Sequence, residues 1–114
     1  MPHLIIEYAQ DLSSNEQARA MLDAVHDAAL SSELFVESHI KTRLIPVTHY
    51  RVGSSQDRFI HAQLRIKSGR DMEQKKALSE AVLMAIRSQN WPANVITVEV
   101  VEMDDASYAK YTAP

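Results

Sequence analysis

Residues 16–29 read EQARAMLDAVHDAA, and residues 73–86, which lie 57 positions further along the chain, read EQKKALSEAVLMAI. Six positions of this overlay are identical, and in both stretches apolar residues recur at the spacing of one helix face. The shift of 57 is half of the 114 residues. We therefore interpret residues 1–114 as a single domain with an internal repeat of about residues 2–56 and 57–114.

Each of the two predicted helices is preceded by a predicted strand. Residues 3–9 (HLIIEYA) form a short apolar run rich in β-branched side chains, which is typical of a strand. Ser13 and Glu16 have the spacing of a capping box, and the first helix is expected from about residue 14 to 31. Residues 59–66 (FIHAQLRI) alternate between apolar and polar, and Asp71 is the predicted cap of the second helix.

A further predicted strand follows each helix. Residues 39–52 have an extended pattern, in which Pro46 cannot donate to a β ladder and so indicates an edge or a bulge. Residues 53–55 (GSS) predict a turn, and residues 95–101 (VITVEVV) predict the last strand. The order strand, helix, strand occurs twice.

This order predicts an α+β fold, in which two β-α-β units form a four-stranded sheet with both helices on one face. The other sheet face then has no cover within one chain. Because Leu4, Ile5 and Ile6 are consecutive, as are Val100 and Val101, we expect apolar side chains on both faces. The expected consequence is a homotrimer in which subunits cover this second face.

Composition excludes several classes of protein. The 46% apolar and 24% charged residues are ordinary for a folded domain, and two glycines are too few for a glycine-rich nucleotide-binding loop. Without cysteine there is no disulfide or thiol chemistry, and the five histidines lack metal-binding spacings. We expect no metal, no cofactor and no membrane segment, and a cytoplasmic location.

Charge is unevenly distributed along the chain. Residues 1–36 carry a net charge of −5 and residues 71–114 a net charge of −3, whereas residues 37–70 have seven basic and two acidic residues. A weakly acidic protein with a basic middle is not typical of nucleic-acid binders. The pattern favours a small anionic ligand such as a carboxylate. The basic residues of this middle segment are Lys41, Arg43, Arg51, Arg58, Arg65, Lys67 and Arg70.

Pro2 directly follows the initiator Met1. Removal of Met1, which requires a small second residue, would leave Pro2 with a free secondary amine at the start of an apolar strand. Burial and nearby cations both disfavour a charged amine and lower its pKa. Such an amine can act as a general base near neutral pH.

With these features the chain resembles the tautomerase superfamily of enzymes with an amino-terminal proline, and within it the 5-carboxymethyl-2-hydroxymuconate isomerases. The resemblance is carried by residues 1–8 (MPHLIIEY), 40–43 (IKTR), 59–61 (FIH) and 66–70 (IKSGR). It implies a homotrimer with sites at subunit boundaries. It also implies a cofactor-independent isomerase of homoprotocatechuate breakdown, which moves a proton within an unsaturated 2-hydroxy acid to give the 2-oxo isomer.

The resemblance also assigns roles to four residues. Pro2 matches the proline base, Arg70 matches an arginine that binds substrate carboxylate, and Arg43 matches a second cationic position. Lys41 falls where close relatives often have arginine, so the charge is kept but the bidentate fork is lost. Two alternatives stay open, namely another keto–enol tautomerase activity on the same scaffold and a non-catalytic trimeric binding protein.

Overall fold

The computed structural model describes all residues from Met1 to Pro114. It contains four strands and two long helices, joined in part by short 3-10 turns. In chain order these elements are β1 (His3–Ala9), α1 (Asn15–Ser31), β2 (Lys41–Val47), β3 (Phe59–Lys67), α2 (Met72–Ser88) and β4 (Val95–Met103). The turns span Gln10–Leu12, Glu37–His39 and Asp105–Ser107.

The four strands form one mixed sheet in the order β2-β1-β3-β4. β1 is parallel to β2 and antiparallel to β3, and β3 is parallel to β4. The predicted fold of two β-α-β units with two helices on a four-stranded sheet is therefore confirmed. Neither α1 nor α2 has the length and hydropathy that a membrane-spanning helix needs.

Both helices pack against the same sheet face and bury one stripe of side chains each. The buried residues of α1 and α2 are separated by 57 positions, pair by pair. They meet alternate residues of β3, which lie buried as the alternating pattern predicts. The three helix pairs are Met21 and Leu78, Val25 and Val82, and Ala29 and Ile86.

The capping box of α1 lies one residue later than predicted. Ser14, not Ser13, accepts a hydrogen bond from the Gln17 amide, and the Gln17 side chain accepts one from the Ser14 amide. The cause is the 3-10 turn that buries Leu12 and leaves Ser13 extended. The predicted cap of α2 is confirmed, since Asp71 and Gln74 form the equivalent pair.

β2 is shorter than the extended segment predicted over residues 39–52. It ends at Val47, and the following residues form a bend and a turn in which Gly53 has a φ of +57°. That left-handed conformation suits glycine, which has no Cβ to clash. Pro46 lies in β2 at the edge of the sheet, where its missing N–H leaves no ladder bond unmade.

The sheet face opposite the helices is mixed rather than apolar. Ile5 lies between Arg43 and Gln63 in the strand register, and Val101 lies beside Arg65. The predicted apolar side chains are present on this face, but charged and polar neighbours surround them. Its covering by other subunits stays a prediction.

Candidate functional site

One end of the sheet, where β1 and β2 begin and β3 ends, carries a cavity of about 240 Å³. The chain start, the segment after α1, the junction of β3 with α2 and the segment after β4 all contribute to its wall. No acidic side chain lines it. Its lining residues are Met1, Leu34, Phe35, Val36, His39, Lys67, Arg70, Tyr108 and Lys110.

A second cavity of about 490 Å³ adjoins the first and shares His39, Tyr108 and Lys110 with it. It adds Lys41, and again no acidic side chain contributes. The two cavities together therefore gather four cationic side chains beside the chain start. These four are Lys41, Lys67, Arg70 and Lys110.

Pro2 is fully buried directly before β1. Its carbonyl accepts a hydrogen bond of 3.0 Å from the backbone amide of Lys41, which continues the parallel pairing of β1 with β2. The sequence therefore predicted correctly that Pro2 adjoins a packed sheet. The same pairing fixes the predicted residue Lys41 next to it.

The amine at the chain start has an unusual environment. The pKa of the Met1 amine is lowered from 8.0 to about 6, first by burial and then by the hydrogen bond and charge of Lys41. Lys110 and Lys67 add smaller repulsions. Because all these causes disfavour the ammonium form, an amine at this place is largely unprotonated at neutral pH.

Arg70 reaches the first cavity from the start of α2. Its Nη2 donates a 2.6 Å hydrogen bond to the carbonyl of Leu34, and its guanidinium lies 5.2 Å from the centre of the Phe35 ring. Both contacts hold a half-buried side chain in one orientation. The structure thus brings Arg70 to the same cavity as the chain start.

Arg43 takes a different position. It lines neither cavity, and its Nη1 lies 3.2 Å from Nδ1 of His3 on the open sheet face. The other ring nitrogen of His3, Nε2, lies 2.9 Å from the hydroxyl of Tyr108. A direct contact between Arg43 and substrate stays a prediction.

Four further residues line the site but were not predicted from the sequence as site residues. Lys67 lies in a stretch quoted for the resemblance, but its placement beside the Tyr108 ring, 5.2 Å from the ring centre, needs the β3–β4 pairing. His39 has a lowered pKa because of the Lys110 charge and burial. Tyr108 and Lys110 follow the last strand, where no periodic pattern indicates a position.

The structure contains no cluster of side chains that could bind a metal ion. No three His, Asp or Glu side chains lie close enough together to hold a metal ion. What the site offers is an amine with a lowered pKa, several cations and the Tyr108 hydroxyl. This set can bind a small anion and exchange a proton with it.

Comparison with solved structures supports the fold. A 5-carboxymethyl-2-hydroxymuconate isomerase from Deinococcus radiodurans R1 superposes with a TM-score of 0.84 at 23% identity, covering 98% of this chain and 90% of that chain. The FG41 malonate semialdehyde decarboxylase gives 0.76 at 17% identity, with 97% and 90% covered. A fused 4-OT, described as a symmetric trimer, gives 0.80 at 12% identity, with 96% and 93% covered.

No curated protein matches the sequence. The family model of 5-carboxymethyl-2-hydroxymuconate isomerase, in contrast, matches residues 2–111, nearly the whole chain. The match begins at Pro2 and includes every residue of the site described above except Met1. The chain therefore belongs to the 5-carboxymethyl-2-hydroxymuconate isomerase family, within the tautomerase superfamily.

Proposed function

We propose that the protein is a cofactor-independent isomerase that converts an unsaturated 2-hydroxy carboxylic acid into its 2-oxo isomer. The observation that carries this proposal is the acid-free cavity at the chain start, where an amine with a lowered pKa lies among fixed cations. Family membership supports an isomerase or tautomerase activity.

In this proposal Pro2 is the general base once Met1 is removed. Removal of Met1 would free the secondary amine of Pro2, one residue further along the chain than the Met1 amine. Pro2 is fully buried and lies beside Lys41. The same burial and the same lysines would lower its pKa. The unprotonated amine takes the proton of the 2-hydroxyl group and returns it to a carbon of the conjugated chain.

The cations have two tasks in this reaction. Arg70, held by Leu34 and Phe35, binds a carboxylate of the substrate with its remaining guanidinium N–H groups. Lys41 opposes protonation of the base and attracts the second anionic group. Developing dienolate charge is stabilised because these cations are fixed before the reaction begins. Arg43 acts in this proposal through its contact with His3 and not through the cavities.

We further propose that the substrate is 5-carboxymethyl-2-hydroxymuconate, formed in homoprotocatechuate breakdown. Several cations and no acidic group in the paired cavities suit a substrate with more than one carboxylate. A simple enol pyruvate has a single carboxylate and would engage only one of these cations. Comparing kcat/KM on 5-carboxymethyl-2-hydroxymuconate and on an enol pyruvate tests this choice, and a clear preference for the enol pyruvate would contradict it.

The proposed assembly is a homotrimer. The open face carries Ile5 and Val101 among charged neighbours, and the helices cover only the opposite face. Burying such a mixed face requires a surface of complementary charge, which neighbouring copies of the chain provide in a closed ring through their Arg and Glu side chains. The fused 4-OT that shares this fold is described as a symmetric trimer.

A further inference from the structure

Tyr108 is the only side chain of the first cavity that carries a hydroxyl group, whereas Ser38, Tyr111 and Thr112 line only the second cavity. It contributes to both cavities, yet its hydroxyl lies 2.9 Å from Nε2 of His3 outside them. A hydroxyl has one proton, so the direction of this contact decides what Tyr108 can offer a ligand.

Arg43 determines that direction. A guanidinium only donates hydrogen bonds, so Nδ1 of His3, 3.2 Å from Nη1 of Arg43, must be the acceptor and carry no proton. The neutral ring therefore carries its proton on Nε2. It donates that proton to the oxygen of Tyr108, and the Tyr108 proton is directed elsewhere.

The surroundings keep His3 in this form. Burial and the charges of Arg43, Lys41, the chain start and Arg65 all lower the pKa of His3. Glu7 lies on the same face of β1, four residues further along the strand. The Tyr108 ring is also held from one side, because Lys67 Nζ lies 5.2 Å from its centre.

We propose that Tyr108 donates a hydrogen bond to an anionic oxygen of the ligand, and that Arg43 and His3 are positioning residues that fix its direction. The inference rests on the function proposed above because it uses the same cavity and a ligand of the same class. It adds a specificity-determining residue: a 2-oxo carboxylate gains a neutral donor besides the surrounding cations.

The first test needs no activity. Long-range ¹H–¹⁵N NMR of the His3 ring reports which nitrogen carries the proton. The expected result at pH 7.5 is a proton on Nε2 and none on Nδ1, and Arg43→Leu should produce a measurable share of rings with the proton on Nδ1. A proton on Nδ1 in the unsubstituted protein would overturn the proposal.

The second test measures binding of 2-oxoadipate by calorimetry, so that it remains informative even if the protein does not isomerise a dienol. Tyr108→Phe should raise the Kd about tenfold, the usual effect of losing a hydrogen bond to a charged group. Tyr50→Phe, the same change far from the cavity, should bind as the unsubstituted protein does. Equal binding by the Tyr108→Phe protein would overturn the proposal.

A pair of His3 variants separates positioning from simple structural support. His3→Gln can keep an N–H near the place of Nε2, whereas His3→Leu cannot. We expect about threefold weaker binding of 2-oxoadipate by His3→Leu and near-normal binding by His3→Gln, with the same melting temperature for both. Equal losses in the two variants would contradict a positioning role for His3.

Discussion

The backbone amide of Lys41, the first residue of β2, donates a 3.0 Å hydrogen bond to the carbonyl of Pro2, which directly precedes the parallel strand β1. This single bond places a lysine charge beside the amine at the chain start, whose pKa Lys41 helps to lower. Sheet register thus sets where the Lys41 side chain begins, and a 3.1 Å hydrogen bond from its Nζ to the carbonyl of His39 holds the charge.

The Lys41 charge can be removed without changing that backbone bond. Lys41→Ala should lower kcat/KM on 2-hydroxymuconate about tenfold, since a charged contact contributes about 1.5–3 kcal/mol. It should also move the rise of the pH–rate profile to higher pH, because the base would be protonated more easily. Lys41→Arg should keep the profile, and Lys76→Ala serves as a control on the surface of α2. An unchanged profile in Lys41→Ala would exclude a role for this charge.

Arg70 is the second residue whose loss should reduce activity without unfolding the protein. Arg70→Ala should lower kcat/KM for a dicarboxylate more than tenfold, because lost charge stabilisation costs on the order of 2–4 kcal/mol. Arg70→Lys should recover only part of the rate, since it lacks the planar fork. Steady-state kinetics with Arg87→Ala as the matched surface control measures this. Full activity of Arg70→Ala with an unchanged melting curve would remove Arg70 from the site.

Assembly can be tested on the open sheet face. Sedimentation at micromolar concentration should give three times the 12.9 kDa of one chain. Ile5→Asp should shift the protein to monomers, because it buries a carboxylate among subunits. Met84→Asp makes the same change on the exposed surface of α2 and should leave the trimer intact. A monomeric mass for the unsubstituted protein would contradict the proposed trimer.

Stability should fall on acidification because of His3. Its pKa in the folded protein is below the ordinary value of 6.5, so below pH 6.5 the unfolded chain binds a proton that the folded chain does not. The free energy of unfolding therefore decreases as the pH falls from 6.5 toward the folded pKa. Thermal unfolding of His3→Gln should show a weaker loss between pH 7.5 and 5.5. An identical pH dependence would contradict this assignment.

The helices were the most predictable part of the fold. Their apolar stripes are local patterns, and a shift of 57 relates both their bounds and their buried residues. The capping box of α1 was misplaced by one residue because Ser13 and Ser14 are chemically equivalent, and only the turn that buries Leu12 decides between them. β2 was predicted too long because extended segments without ladder partners have the same local pattern as strands.

The site was predictable only where it adjoins regular elements. Pro2 precedes β1 and Arg70 precedes α2, so both could be placed from the sequence. Tyr108 and Lys110 could not, because they reach the cavity through a segment after β4 that has no periodicity. Arg43 was expected to face the ligand, but its side chain contacts His3, the diagonal neighbour on β1, and this contact depends on the strand register.

The proline ring also makes a testable contribution. Pro2→Ala keeps a free amine after Met1 removal, but this amine is primary and more mobile, because only the proline ring fixes φ. The rate on 2-hydroxymuconate should fall by part of the 10²–10⁴-fold, roughly, that a general base contributes, and a residual rate should remain. Intact mass spectrometry must show that Met1 is absent in both proteins. An undiminished rate would mean that any small amine at this position is sufficient.

The most direct measurement compares processed protein, which begins at Pro2, with protein that retains Met1 because a bulky residue is inserted before Pro2. In the retained form the Pro2 nitrogen is an amide without a basic lone pair. The account predicts that the processed form isomerises 2-hydroxymuconate with a rate that rises with pH through an amine pKa below the reference of about 7.7. It predicts almost no activity for the retained form. Equal activity in the two forms would contradict the account, since Pro2 would then be only the residue before a strand.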